Sequence, residues 1–428
     1  MEIISDLHLH SKYSRATSKQ LDIDNLEKWA RIKGLNLLGT GDFTHPEWIK
    51  ELKSKLTDDG SGILKTKTGM DFVLQTEVAM IYTDYGRGRR VHNVILAPNF
   101  DAVDQITEYF LSKGRIDYDG RPIFKIPCPD LVENMMSIDK NIEVIPAHIW
   151  TPWFGLLGSK GGFDSVEDAF KDQAKNIHAL ETGLSSDPPM NWRLSQLDKY
   201  SLVSTSDSHS FWPWRIGREA TLFDLKKLTY NNLIKALRTK EGLTGTIEVD
   251  PAYGKYHWDG HRNCNVCLSP KQSRKLNKLC PKCGKAMTIG VEYRVEELAD
   301  REEGFTPKDA KMFHRLIPTS EIIAKIVGKG IATKTVWAEF DKLQAAFKTD
   351  LNIQLKASEE ELKKVTSDKI AEMILKNRKG QIEVQPGFDG EYGVPIFSEK
   401  DRTKFEKVET DHLPEQTVLK QEGLREFI

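Results

Sequence analysis

Residues 2–11 read Glu2-Ile3-Ile4-Ser5-Asp6-Leu7-His8-Leu9-His10-Ser11. An apolar strand begins almost at the first residue and ends in ionisable side chains. Alternate residues of a strand point to one face, so His8 and His10 can share a metal. The same grammar recurs as far as residue 245. Strands are expected at 2–9, 36–39, 72–82, 90–97, 143–147, 178–180 and 202–205. Helices are expected at 23–33, with Asp22 as the cap, and at 101–112. Strands alternating with helices argue for a parallel sheet, open or closed.

The chemistry-bearing residues collect where these strands end. Asp42 and His45 lie in GTGDFTH, Glu77 in QTEV, His92 in VHNV and His148 in PAHIW, while Asp207 and His209 lie in STSDSHS. In a βα-barrel, active-site residues gather at the C-terminal ends of the strands. Imidazoles and carboxylates without thiolates suit zinc, manganese or iron. So many donors exceed what one tetrahedral ion takes, and they suit two or three ions bridged by a carboxylate. Such clusters clamp the oxygens of a phosphoryl displacement and acidify a bound water. His178, alone in IHALET, reads as a core residue.

The chain has 428 residues, 62 Lys+Arg and 63 Asp+Glu, a net charge of -1. It is no polyelectrolyte, so any nucleic-acid surface must be a local patch. No window approaches the ~18 apolar residues of a membrane span, and the N-terminus lacks a signal-peptide layout. A cytoplasmic location is expected. Four of the five cysteines form two pairs, Cys264/Cys267 and Cys280/Cys283. CxxC knuckles at this distance form a closed tetrahedral thiolate site, read here as structural zinc. Eight Lys/Arg stand between residues 255 and 285 against the single acid Asp259, so the module is a basic lobe. Lys271, Arg274 and Lys275 are its phosphate-binding candidates.

In this order and spacing DLHLHS, GTGDFTH, QTEV, PAHIW and SDSH resemble the PHP (polymerase and histidinol phosphatase) superfamily. The resemblance implies a distorted (β/α)7 barrel with up to three ions. Carried over, His8, His10, Glu77 and Asp207 hold one ion, and Glu77, His92 and His148 a second. His209 helps hold a third. Arg15 after HSKYS and GDFTH in place of a TDH motif depart from the pattern. Either Asp42 or His45 serves the third site, or that site is weak. A PHP barrel, a CxxC…CxxC module and a helical domain carrying VQPGFDGEYGVPIF together resemble endonuclease Q. That resemblance implies nicking of DNA 5′ to deoxyinosine, deoxyuridine, deoxyxanthosine or an abasic site. The alternative is a small-molecule phosphoesterase of the same superfamily.

The expected domains are a catalytic barrel at 1–245, a zinc module at 246–290 and a mostly helical domain at 291–428. Helices are expected there at 319–327, 333–348 and 358–376. The barrel metals are expected to be zinc, with Mg²⁺ or Mn²⁺ as alternatives. Glu77, Asp207 and His209 are the catalytic candidates, with Asp207, Asp42 or His209 as the proton relay. The expected partner is double-stranded DNA with a damaged base. Chemistry beside one base needs that base extruded, and extruded bases stack on aromatic walls. Trp150, Trp153 and Trp212 are the stacking candidates, and Lys160 tips a glycine-rich flap at 155–162. Arg87, Arg89 and Arg90 form a second basic spot on a hairpin tip. Gln421, Leu424 and Phe427 resemble a sliding-clamp peptide.

Overall fold

The computed structural model describes residues 1–405 and Val408. The clamp-peptide residues Gln421, Leu424 and Phe427 lie outside the described residues. The barrel wall is built from β1 (Glu2–Asp6), β2 (Leu37–Gly39), β3 (Asp71–Asp84), β4 (Arg87–Ala97), β5 (Glu143–Pro146), β6 (Ala179–Glu181), β7 (Ser201–Val203), β8 (Ala220–Asp224) and β9 (Leu243–Glu248). β1, β2 and β3 are parallel neighbours. β4 runs antiparallel to both β3 and β5, and β8 antiparallel to both β1 and β9. β6 and β7 pair in parallel.

Hydrogen bonds from residues just past the strand ends close the remaining seams. The Ile149 N–H donates to Glu181 O at 3.0 Å between β5 and β6. The Ser204 N–H donates to Thr221 Oγ1 at 3.0 Å between β7 and β8. The result is a PHP-like barrel, distorted because β4 and β8 run antiparallel to the strands on either side.

Strand alternation explains how the ring is filled. Ile3, Leu37, Val73, Val94, Ile145, Ala179, Val203 and Phe223 form one apolar cluster, plugged by Leu233, Ile234 and Leu237 of the helix Tyr230–Thr239. Their strand neighbours Ile4, Leu38, Phe72, Ile95 and Val144 belong to a second cluster, against the outer helices. Ile23–Lys33 forms as a helix within the expected bounds, the Asp22 side chain accepting from Asn25 N.

The sheet does not stop at residue 245. β9 runs to Glu248, and the strand Met312–Arg315 pairs with it in parallel. Beyond it, the helices Thr319–Val327, Lys334–Phe347, Glu359–Val365 and Asp368–Arg378 pack around Ile323, Val336, Phe340, Leu362 and Ile374. The expected single helix at 358–376 is two, because Ser367 accepts from Ile370 N and starts a new one. The helical lobe is bolted to the barrel by a buried ion pair, Lys33 Nζ to Asp350 at 2.7 Å, and Lys33 also donates to Pro213 O at 3.2 Å. The tail motif docks on the cysteine module. Trp258 N–H donates to Gly387 O at 3.0 Å, and Thr288 Oγ1 to Asp389 at 2.6 Å.

Among the described residues no helix is long and apolar enough to cross a membrane.

Candidate metal centre

Four barrel donors converge from three directions. His8 and His10 follow β1, Glu77 sits midway along β3, and Asp207 follows β7. His10 Nε2 lies 3.2 Å from Glu77 Oε2 and 3.0 Å from Asp207 Oδ1. His8 Nε2 lies 3.5 Å and 3.6 Å from the same two atoms. The other Glu77 oxygen, Oε1, faces His92 Nδ1 at 2.7 Å and His148 Nε2 at 3.3 Å. Glu77 is therefore common to two donor groups, one oxygen turned toward each.

These donors fit ions. A tetrahedron with metal–ligand bonds of ~2.0–2.1 Å has edges of about 3.3–3.4 Å, close to most of these separations. His8 Nε2, His10 Nε2 and Asp207 Oδ1 are buried without a hydrogen-bond partner. A buried polar atom left unpaired costs about 1–3 kcal/mol, so three aimed at one point call for a shared ligand.

Three of the four rings are also fixed from behind. His8 Nδ1 meets Glu181 Oε2 at 2.8 Å. His10 Nδ1 meets Asp42 Oδ1 at 2.9 Å. His148 Nδ1 meets Thr151 Oγ1 at 3.0 Å. Such partners set which ring nitrogen faces the metal. The backbone is bent to match: Asp42, His148 and Asp207 have φ of 43°, 31° and 47°. Residues held in this region away from glycine mark sites where the surroundings impose the conformation. Asp207 thus reaches the cluster through a left-handed kink and not by strand alternation.

The electrostatics follow from burial and close charges. Burial acts to raise the Glu77 carboxyl, but His92, Arg121 and His8 together hold it well below the usual range. Burial likewise opposes ionisation of Asp207, and His8 and His10 overcome it. Burial pushes the His92 imidazole down to about 4, leaving it neutral and able to ligate.

Several expected residues lie elsewhere. Asp42 is wholly occupied behind His10, also accepting from Ser11 N at 2.6 Å and Ser14 Oγ at 2.9 Å, so it is not in either donor group. His45 accepts from Glu47 N as the cap of the helix Pro46–Lys55 and stacks on Tyr13 at 4.4 Å. His209 stands beside the site. Its ring is 4.5 Å from that of His10, and its Nδ1 donates to Asp207 O at 2.9 Å. His178 pairs with Glu143 at 2.9 Å on the far side of the wall.

Two residues were not anticipated. Glu181, which fixes His8, is the last residue of β6, the strand-end position where barrel sites collect. Arg121 places Nη1 3.0 Å from Glu77 Oε2 and is partly exposed. It comes from a turn, and nothing in the local sequence sets it apart from the chain's other cations.

The cysteine module differs from expectation in one ligand. His261, Cys264, Cys280 and Cys283 bring their donor atoms together, and Cys267 does not join them. Val266 and Leu268 pack with Cys280 in the module's apolar cluster. Cys267 lies between them on the strand Val266–Leu268, so alternation sends its side chain to the opposite face. His261 takes the fourth place, its Nδ1 3.5 Å from Cys283 Sγ. Three thiolates and one imidazole are a donor set suited to structural zinc.

The DNA-facing candidates divide. Trp150 is 1% exposed and donates its indole N–H to Asn191 at 2.8 Å, so it is core and no stacking wall. Trp153 is half-buried against Tyr256. Trp212 is 36% exposed and stacks on Trp214 at 5.0 Å, with Trp337 of the helical lobe beneath both. The stretch 155–162 is a packed turn and not a flap. Leu156 and Leu157 are buried, and a Cβ at Gly158 would lie 2.2 Å from Thr151 O. Lys160 at its tip is exposed. Arg274 is engaged with Glu296 at 3.3 Å, and Lys271 is exposed. Lys275 is half-buried.

Residues 318–381 match the family model of the MJ0043 C-terminal domain. The uncharacterized Methanocaldococcus jannaschii protein MJ0043 is 33% identical over 253 residues, 58% of this chain but 31% of that protein, so the match spans about a third of its length. The uncharacterized Bacillus subtilis protein YqxK is 30% identical over 415 residues, 92% of this chain and 98% of that one. The lesion-specific endonuclease PfuEndoQ of Pyrococcus furiosus superposes with a TM-score of 0.84 at 32% identity, covering 94% of this chain and 96% of that one. Endonuclease Q in complex with a 27-mer duplex substrate carrying an abasic lesion superposes with a TM-score of 0.83 at 32% identity, covering 95% and 99%.

Proposed function

Since the chain belongs to the endonuclease Q family, we propose that it is a lesion-specific DNA endonuclease that hydrolyses the phosphodiester 5′ to a damaged nucleotide in duplex DNA. The lesions are deaminated bases (hypoxanthine, uracil, xanthine) and abasic sites. The observation that carries this reading is Glu77, with one carboxylate oxygen toward His8, His10 and Asp207 and the other toward His92 and His148. His8, His10, Glu77 and Asp207 on one side and Glu77, His92 and His148 on the other would hold divalent ions, which when bound would supply Lewis-acid polarisation of a phosphate and acidification of a water.

The chain's own residues do the rest. Glu77 sets the spacing of the two donor groups, and Glu181, Asp42 and Thr151 hold the imidazoles in register. Arg121, beside Glu77, offers a fixed positive charge to a phosphate oxygen at the rim. His209 is half-exposed next to His10, and burial and His10 favour its neutral form, so it is the group placed to take a proton from the attacking water. The cysteine module carries structural zinc and presents Lys271 to DNA.

The test is an end-labelled duplex carrying one deoxyinosine, one deoxyuridine, one abasic site or no lesion, incubated with Mg²⁺, Mn²⁺ or Zn²⁺. A single nick immediately 5′ to the lesion, absent from the undamaged duplex and from Asp207→Ala, is expected. Uniform digestion would make it a general nuclease. No cleavage, with turnover of nitrophenyl phosphate instead, would make it a small-molecule phosphoesterase.

A further inference from the structure

The hairpin formed by β3 and β4 is longer than the barrel needs. β3 enters the wall beside β2 at Asp71–Val73, passes the metal centre at Glu77 and runs on to Asp84. Its far end therefore stands on the same side of the barrel as the metal centre. At ~3.4 Å per residue the eight residues from Glu77 to Tyr85 span about 27 Å. The finger is braced at its root, where Arg90 N–H donates to Gly161 O at 3.0 Å and the Arg89 guanidinium lies 4.0 Å over the Phe163 ring.

Its tip is unusual. Tyr85 and Gly86 both have positive φ, 47° and 75°, the two central positions of a hairpin turn that Asn-Gly or Asp-Gly normally fills. A tyrosine there gains little from the fold: it is 89% exposed, and among the described residues its ring contact is Lys171 Nζ at 5.3 Å. A bulky side chain in this region is a backbone outlier, and one that buries no surface points to a contact outside the chain. Arg87 is exposed beside it, Arg90 and Lys160 are exposed at the root of the finger, and Asp84 is paired to Lys171 at 3.1 Å.

We propose that this finger is a second anchor for the duplex, its cations on phosphates and Tyr85 against the sugar edge of the groove, about eight base pairs from the bond that is cut. The inference rests on the proposed function above, because it takes duplex DNA as the substrate. The chemistry is sequence-independent: cations on the backbone displace counterions, and an aromatic face packs on sugar or base without reading it.

The experiment uses the full chain, abasic-site duplexes with long arms, and duplexes trimmed on either side of the lesion. Tyr85→Asn and Arg87→Ala are expected to raise KM on the long duplex about tenfold with little change in kcat. Arg87→Ala should lower the slope of log(kcat/KM) against log salt by about one. Both penalties should vanish when one arm is cut below about eight base pairs, because the wild type then loses the same contact. Asn suits the left-handed turn better than Tyr, so Tyr85→Asn should melt at or above the wild-type temperature, which separates lost contact from lost fold. Wild-type kinetics in both variants on long duplexes, or a deficit unchanged by trimming either arm, would overturn the anchor while leaving the endonuclease intact. Failure of the wild type to nick any lesion duplex would overturn the endonuclease itself.

Discussion

In the barrel, His8 and His10 are each held from behind by a buried carboxylate, at 2.8 Å and 2.9 Å. In the cysteine module, His261 has Cys283 at 3.5 Å, and Cys283 itself is exposed. Both regions gather four donors, but by different means. The barrel orders its ligands through a wall of strands and a ring of hydrogen bonds, so the cluster stands before an ion arrives. The module is a two-stranded ribbon, a one-and-a-half-turn helix and a small apolar cluster, too little core to fold alone. There a bound ion would be part of the fold, as in other small cysteine sites. One site is preorganised for chemistry and the other is a fastening.

The sharpest way to break this contrast is to remove the shared carboxylate. Glu77→Gln should lower the nicking rate by ~10⁴-fold while the barrel's melting transition survives. A collapse of the transition in circular dichroism would mean that the ions, and not the wall, hold the barrel. Cys280→Ser should act the other way round. It should release the module's ion, open residues 255–290 to limited proteolysis and leave the barrel's transition standing. Nicking is then expected to fall by about 100-fold through lost DNA contact and not through the metals. Smaller effects should follow from the partners behind the rings. Glu181→Gln or Asp42→Asn should weaken barrel metal binding about 10–100-fold, read by chelator competition, with the cysteine-bound ion unmoved.

Much of this was legible in the sequence because barrels put function at strand ends. DLHLH and PAHIW each announce a donor by following an apolar run, whereas Glu77 and His92 lie inside β3 and β4; seven of the nine wall strands lie within a few residues of their expected bounds, and β8 and β9 were not anticipated. Asp42 and His45 misled because proximity along the chain does not say which side of a ring a carboxylate occupies. Glu181 was discoverable by the same strand-end rule, but the short run before it carries only His178, which reads as core, and the acid at its end was passed over. Arg121 was not discoverable, since a single arginine in a turn acquires its role only from the fold. The exchange of Cys267 for His261 was hidden for another reason. CxxC spacing identifies a thiolate site, but strand alternation inside a three-residue ribbon decides which donors face inward.

A smaller prediction concerns the barrel wall. Glu248, at the end of β9, is wholly buried, and burial pushes its carboxyl up to about 8 from 4.5, with Asp187 adding to the rise. The folded state therefore keeps a proton that the unfolded chain releases. That contribution is complete below pH ~4.5 and is lost as the pH rises toward about 8, by at most ~1.4 kcal/mol per pH unit. Glu248→Gln should flatten the decline in urea-unfolding stability over this window. An unchanged slope would place the proton on other groups.

The contrast between the two regions reduces to where the metals are, and counting them tests it most directly. Metal content per chain, measured by plasma mass spectrometry on wild type, Glu77→Gln and Cys280→Ser, should separate the two sites. The account predicts three equivalents in the wild type, a loss confined to the barrel pair in Glu77→Gln, and two remaining in Cys280→Ser. A single equivalent in the wild type that disappears in Cys280→Ser would contradict it, for the barrel would then hold no metal.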